Sequence, residues 1–436
     1  MPRHLGAGTT VAHELSKSRI TRHRLENGLR VVLAPDDRVP VVAISLWYAV
    51  GSSHERSGRS GFAHLFEHMM FQGSANVGKA EHFAAIEAVG GRSNAYTLLD
   101  ATVYNEAVPS HQLELALWLE ADRMATLGAA LSQETLDNQR EVVKNERRLR
   151  VDNVPYGTGE EKLFALAYPP EHPYHHSPWG SMDDLSAASL DDVRSFFATY
   201  YVPNNALLTV VGDLDPERTL GFVQRHFGQI PRADDPPPLA GMSGMGPRTA
   251  ADEVIRGAVP LPRLYIGCTI PPVGSDAFQA ADLLTDVLAT GRASRLQSRL
   301  VRQLRLAQTI DAWAQPLIGG SSLLIFEVTV PAEVDPAEVV GALNEEIDQL
   351  AGIAPSDEEL SRVRLRRATT RASQMEKAEA RADRIGMYAC LLNDPELFNS
   401  EGVRDTATSA DAISACAREW LAPANRASVW YLPADA

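Results

Sequence analysis

The 436-residue chain reads as an α+β protein of two related domains, each a mixed β-sheet packed by helices. Three observations predict this. A proline- and glycine-rich stretch, "PRADDPPPLAGMSGMGP" from Pro231 to Pro247, erases every hydrophobic period near the middle of the chain. The two halves close on similar segments, "YYVPNNALLTVVGD" and "WLAPANRASVWYLP", which align Pro203 with Pro423 and Asn205 with Asn425, an offset of 220 residues (423 minus 203). Helical and strand patterns mix without strict βαβ alternation, which favours α+β layers over a doubly wound sheet. These observations give domains over 15–230 and 250–436, joined by a linker at 231–249, and the length suits two units of roughly 100–200 residues each.

Element by element, alternating or continuous apolar runs predict strands at "LRVVLAP" and "VVAISLWYAV". A helix comes next around residues 61 to 72 and another from Lys79 to Val89. Strands return at "GRSNAYTLLD" and "ATVYNEAVP", then long helices run from about Gln112 to Leu127 and from Ser132 to Arg150. The repeat has a second anchor, because "VVAISLWYAVGSS" is matched by "RLYIGCTIPPVGS" ahead of the amphipathic "DAFQAADLLTDVLATG".

Composition narrows the function. Residues are 44% hydrophobic and 22% charged, ordinary globular usage. A formal net charge of −15 argues against nucleic acid and anionic membrane surfaces, both of which need clustered Lys and Arg. The N-terminal residues lack the apolar core of a signal peptide, and no apolar run reaches the roughly 20 residues that span a bilayer, so a cytoplasmic protein is expected. Cys268, Cys390 and Cys416 lie far apart without paired spacing and are expected to be reduced and not to bind metal.

The stretch "GFAHLFEHMMFQG" carries the chemistry. On a helix, positions four apart differ by about 40° around the axis and positions three apart by about 60°, so His64, Glu67 and His68 share one face. Two imidazoles at this spacing supply nitrogen ligands to zinc, and the neighbouring carboxylate reaches a water beside it, the H-x-x-E-H arrangement of inverted zinc peptidases. A single histidine in an apolar helix is more often a satisfied core residue. Burying two imidazoles and a carboxylate together, however, costs several kcal/mol unless a cation compensates. A zinc site open to water needs a third protein ligand. "DNQREVVKNERRLRVDN" offers Glu141 and Glu146, about 140° apart on a helix, so only one can face the metal. Glu146 is the first choice and Glu141 the second, while a solvated charged helix face accounts for both without any metal.

The chain resembles the pitrilysin-type (inverzincin) zinc metallopeptidases, the family of insulin-degrading enzyme and the mitochondrial processing peptidases. The motifs "HLFEHMMFQGS", "GGRSNAYTLLDATVYNEAVP", "REVVKNERR", "HPYHHSPWGS" and "YYVPNNALLTVVGD" occur in the family's order over nearly the whole length. Its size is similar to the short-subunit branch, in which two two-domain subunits enclose a clamshell-like chamber. The resemblance implies one zinc ion per chain held by His64, His68 and Glu146, with Glu67 as general base, and places Glu141 outside the ligand register. Many relatives carry a glutamate seven residues before the ligand; here Gln139 stands there, removing a charge beside the site. It further implies that "GGRSNAYTLLDATVY" forms an edge strand along which a peptide substrate lies, with Asn94 and Ala95 nearest the scissile bond. Without the resemblance, a turn or strand-end role explains Asn94 equally well.

The second half departs from this pattern. Aligning Gly73 with Gly291 puts Asp282, Thr285 and Asp286 where His64, Glu67 and His68 stand, so no second zinc site is expected. Relatives often carry an arginine and a tyrosine seven residues apart that hold the substrate carbonyl. Val301 and Gln308 fill those positions here, and neither Arg302 nor Arg305 has a tyrosine seven residues on. These features imply a zinc-dependent endopeptidase acting on short or unfolded polypeptides. Its expected partner is a second related, metal-free subunit supplying the missing pair in a heterodimer, with a homodimer as the alternative. The rival expectation is a non-catalytic or peptide-binding subunit of the same fold.

Overall fold

The computed structural model describes residues 17–239 and 250–434, so the C-terminal part of the expected linker and the first two residues of the expected first domain lie outside the described residues. Six strands form the first sheet: β1 (Thr21–Arg24), β2 (Arg30–Pro35), β3 (Val41–Tyr48), β4 (Arg92–Thr97), β5 (Thr102–Pro109) and β6 (Ala206–Gly212), in the order β1-β2-β6-β3-β5-β4. The second sheet holds β7 (Ala251–Gly257), β8 (Arg263–Ile270), β9 (Thr309–Gln315), β10 (Ser322–Thr329) and β11 (Arg426–Pro433), in the order β7-β11-β8-β10-β9.

The two orders are the same once β1 is set aside. In each half the last strand inserts between the first two, parallel to one and antiparallel to the other. Every residue of β6 is buried, as suits an inner strand covered on both faces. The aligned asparagines explain how the last strand is set. Asn205 donates from Nδ2 to the carbonyl of Tyr200 at 2.9 Å and to that of Ala49, while Asn425 donates to Trp420 and, at 2.9 Å, to Thr269. Each thus ties the preceding helix end to the neighbouring strand, the physical content of the repeat seen in sequence.

Five helices of the first half position the site: α1 (Phe62–Met69), α2 (Glu81–Ala88), α3 (Leu113–Ala130), α4 (Gln133–Arg147) and α5 (Gly159–Ala167). The predicted helix ending at Arg150 instead stops at Arg147, and Arg148–Asp152 continues as a π-helical turn. Such wide turns often sit at functional sites.

Each sheet is covered on one face by helices of its own half and on the other by a helix of the opposite half. Helix Ala378–Leu391 lays Ala378, Ala382, Ile385 and Ala389 on Val32, Ala43, Trp47, Leu207 and Val211 of the first sheet. Reciprocally, Leu163 and Phe164 of α5 pack with Tyr265, Leu323, Ile325, Val429 and Tyr431 of the second. Small residues permit the close approach. A β-carbon on Gly386 would lie 2.4 Å from Trp47 Nε1, and one on Gly159 would lie 2.5 Å from the Tyr265 ring.

A buried carboxylate joins the halves as well. Asp100 accepts from Ser53 Oγ at 3.1 Å, from Tyr174 O–H at 2.8 Å and from the Ile318 amide at 3.1 Å, and the Tyr174 oxygen accepts from the Gly319 amide at 2.7 Å. Burial pushes the Asp100 carboxyl up, and these three donors oppose that rise. Cys268, Cys390 and Cys416 form no disulfide, and among the described residues no helix is long and apolar enough to cross a membrane.

Replacing Gly386 by Val should force Trp47 or the helix to shift and destabilise the protein by about 1–3 kcal/mol. Urea unfolding would show a lower midpoint with unchanged slope, and a midpoint equal to the parent's would mean that the helix-to-sheet contact is not tightly packed.

Candidate metal centre and active-site cleft

Helix α1 is only eight residues long, and its start is fixed by groups from elsewhere in the chain. Gly61 adopts a left-handed φ of 88°, and Gly180 (φ 62°) lies so close that a β-carbon on it would be 2.3 Å from Gly61 Cα. The first turn leaves backbone N–H groups without helical partners. Glu55, with a fully buried side chain, accepts from Gly61 N and Ala63 N at 2.8 Å each, and His176 Nε2 lies 2.9 Å from the same carboxylate. Burial pulls the His176 imidazole down, but its hydrogen bond to Glu55 and the Glu55 charge outweigh this and hold it above the usual range.

One face of α1 anchors it. Phe62, Leu65, Phe66 and Met69 are buried in the first core, with Phe66 against Phe197 and Tyr201. The opposite face presents His64, Glu67 and His68, whose ligand atoms lie within 4.8 Å of one another. Helix α4 supplies the fourth group. Leu136, Gln139 and Val143 are its buried positions, and Glu146, one turn further, continues that face. Glu146 Oε2 lies 3.1 Å from His68 Nε2 and 3.6 Å from His64 Nε2. Glu141 points elsewhere, pairing with Lys144 Nζ at 3.1 Å with a largely exposed side chain.

These distances test whether a metal fits. Tetrahedral zinc with nitrogen and oxygen ligands near 2.0–2.2 Å separates its ligand atoms by about 3.4 Å. The values of 3.1 and 3.6 Å bracket that spacing. The donor set also suits zinc, being two imidazole nitrogens and a carboxylate oxygen.

Electrostatics agrees with a site that lacks a partner of its own. Burial, together with His68 and Arg150, lowers the His64 imidazole to about 3, and its Nδ1 is buried without a hydrogen-bond partner. Burial likewise lowers His68, against the opposing pull of Glu146 and a hydrogen bond from the ring to Gln139. Both rings are therefore neutral at pH 7, as metal ligands must be. Burial raises Glu67 to about 7, opposed by a 2.7 Å hydrogen bond donated by Thr97 Oγ1 and reinforced by Glu146. A carboxylate poised there exchanges protons readily near neutrality.

A cavity of about 330 Å³ opens on these groups. It is lined by Ala95, Tyr96 and Thr97 of β4, by Trp179, whose ring meets that of His64 at 5.0 Å, and by Gln315 of the second half. Strand β4 is the outer strand of its sheet. It is held from behind by the opposite half, where Tyr96 O–H donates to Asp383 and Arg92 pairs with Glu379. Ala95 is among the residues that line the cavity, and Asn94, its neighbour on β4, is not. Gln139 meets His68 as a neutral hydrogen-bond acceptor. Arg150 lies on the π-helical turn, and its Nε is 3.1 Å from Glu146 Oε1.

In the second half, Asp282 and Asp286 lie on helix Asp276–Leu288 and meet guanidinium groups from helix Asp357–Gln374. Arg367 Nη1 is 2.8 Å from Asp282 Oδ2, and Asp286 pairs with both Arg366 and Arg367. Fixed cations thus occupy the counterpart of the first site. Neither Val301 nor Gln308 lines the cavity, and Arg302 bonds Ser298 Oγ.

Known proteins share both the sequence pattern and this fold. Residues 30–168 match the family described as insulinase (peptidase family M16), and residues 187–366 match the peptidase M16 inactive domain. The chain is 32% identical over 376 residues to the zinc protease PqqE of Helicobacter pylori, covering 84% of this chain and 82% of that protein. A protease structure from Helicobacter pylori superposes with a TM-score of 0.89 at 27% identity, covering 96% of this chain and all of that one. The periplasmic protease PqqL from Escherichia coli shares the fold, with a TM-score of 0.74 at 19% identity. This chain spans only 47% of PqqL but 92% of the structure of its first half.

The buried Glu67 carboxyl sets a stability test on the chelator-treated protein. Its folded pKa, about 7, exceeds the unfolded value of 4.5. The folded chain therefore binds more protons between those pH values, so its contribution is fully present below pH 4.5 and lost as pH rises through 7. Glu67→Gln should flatten the fall in stability between pH 5 and pH 8 by on the order of 1–3 kcal/mol. Denaturant unfolding at the two pH values measures it, and an unchanged pH slope contradicts the burial argument.

Proposed function

The chain belongs to peptidase family M16, and from that premise we propose that it is a zinc-dependent endopeptidase that hydrolyses peptide bonds in short or unfolded polypeptides. One observation carries the reading: donors from two separate helices, His64 and His68 on α1 and Glu146 on α4, converge beside the carboxylate of Glu67 in an open cleft. His64, His68 and Glu146 would hold the ion. Zinc bound there supplies a Lewis acid that lowers the pKa of a water and polarises a carbonyl.

The remaining work falls to side chains and backbone. Glu67 accepts a proton from the attacking water and delivers it to the leaving amine, and Thr97 fixes the orientation of its carboxylate. The open edge of β4 receives an extended peptide through main-chain hydrogen bonds, so recognition there depends on backbone more than sequence, with Ala95 at the cleft and Asn94 beside it. Trp179 walls the cleft and limits water next to His64.

The partner is a second related subunit, and the arrangement resembles a mitochondrial-processing-peptidase-type heterodimer more than a homodimer. Two observations support this. Val301 and Gln308 stand where an arginine and a tyrosine would hold the substrate carbonyl, and this chain matches only half of PqqL, in which a second half comes after the first. The same gap favours, as a second reading, a non-catalytic or peptide-binding subunit. A reducing compartment such as the cytoplasm fits three cysteines that form no disulfide.

Elemental analysis should find about one zinc per chain. Glu67→Gln should keep that zinc and lose turnover by at least about a thousandfold. Glu146→Gln should lose most of the zinc, while Glu141→Gln keeps it. A zinc-free purified chain that stays empty in excess zinc sinks the enzyme reading. Mixing with a related metal-free subunit from the same cell should raise peptide hydrolysis at least about tenfold, and full activity of the chain alone, unaffected by any partner, disproves the heterodimer.

A further inference from the structure

Among the described residues that line the cavity, Arg150 is the one arginine or lysine; the other ionisable groups there include His64 and the carboxylates of Glu67, Glu146 and Glu160. Its side chain is 68% exposed, and its Nε meets Glu146 Oε1, the oxygen turned away from the two imidazoles. Among the described residues, no other hydrogen bond or ion pair engages the guanidinium. Exposed ion pairs four residues apart on a helix are weak. A dication on the imidazole-facing oxygen of Glu146 would draw further on the same carboxylate charge, leaving the arginine fork open to a competing anion.

We propose that Arg150 is an anion-recognising residue of the cleft, whose guanidinium binds a carboxylate of the peptide substrate close to the scissile bond. This rests on the peptidase reading and names the substrate feature that the same site selects. A guanidinium offers two parallel N–H donors that match the two oxygens of a carboxylate. The position comes from connectivity, since Arg150 touches the residue that reaches both imidazoles and shares a cavity with Glu67 and the β4 edge. The carboxylate belongs either to an acidic side chain or to the C-terminus of a short peptide. Both offer the same oxygen pair.

The experiment uses the zinc-loaded full-length chain carrying Glu67→Gln, so that peptides bind without being cut. Fluorescence anisotropy measures affinity for otherwise uncharged labelled peptides in which a single Glu is moved along the sequence. Each is compared with its Gln twin, and each is made with a free and an amidated C-terminus. At one position, or at the C-terminus, the carboxylate should tighten binding about tenfold. Adding Arg150→Met should abolish that difference while leaving zinc content and affinity for the uncharged peptides unchanged, and Arg150→Glu should reverse it. A Glu-over-Gln preference locates the carboxylate on a side chain, and an acid-over-amide preference locates it at the C-terminus. Equal affinity for every pair, or a preference that survives Arg150→Met, overturns the assignment. Zinc-loaded protein that binds no peptide of either kind even with the related metal-free subunit added removes the peptidase reading itself.

Discussion

Moving two imidazoles and a carboxylate out of water is unfavourable by several kcal/mol unless a cation shares their surroundings, and α1 gives His64, Glu67 and His68 no other place to go. Its opposite face is committed to the core through Phe62, Leu65, Phe66 and Met69. Its first turn is clamped by Glu55. The protein meets the problem partly within its own chain, by neutralising both rings and raising Glu67. The second half shows the other solution to the same geometry, where Asp282 and Asp286 are matched by Arg366 and Arg367. One half thus carries its cations covalently, and the other brings together a donor set that suits zinc.

The exchange of helices between halves extends this logic to the cleft. Helix Ala378–Leu391 covers the first sheet and also fastens β4, through Asp383 to Tyr96 and Glu379 to Arg92. The outer strand of the first sheet is therefore braced by residues nearly 290 positions away in sequence. Asp100 and Tyr174 join the same two halves. A second half without the metal-binding side chains is still part of what shapes the first.

Much of this is legible in the sequence. Strands β2 to β5 and the helical trio come from periodicity, because local spacing alone decides which residues share a face, and the repeat comes from matched segments, whereas β1 carries no such signal. Glu146 is separable from Glu141 in principle, since Leu136, Gln139 and Val143 mark the buried stripe that Glu146 extends. Thr97, His176 and Trp179 are not legible, because each reaches α1 or its flanking residues from a distant segment and no spacing rule connects them. Helix exchange is hidden for a related reason: an amphipathic pattern says that a face is covered, not by which sheet.

That exchange has a bearing on biosynthesis. The first sheet is complete once β6 has left the ribosome, yet Val32, Ala43, Trp47 and Leu207 stay bare until residues 378–391 have been made. At translation speeds of about 5–20 residues per second, this leaves a sticky nascent surface for on the order of ten seconds or more. Throughout that interval, holdase chaperones or a neighbouring polysome-bound chain can reach it before its own helix does.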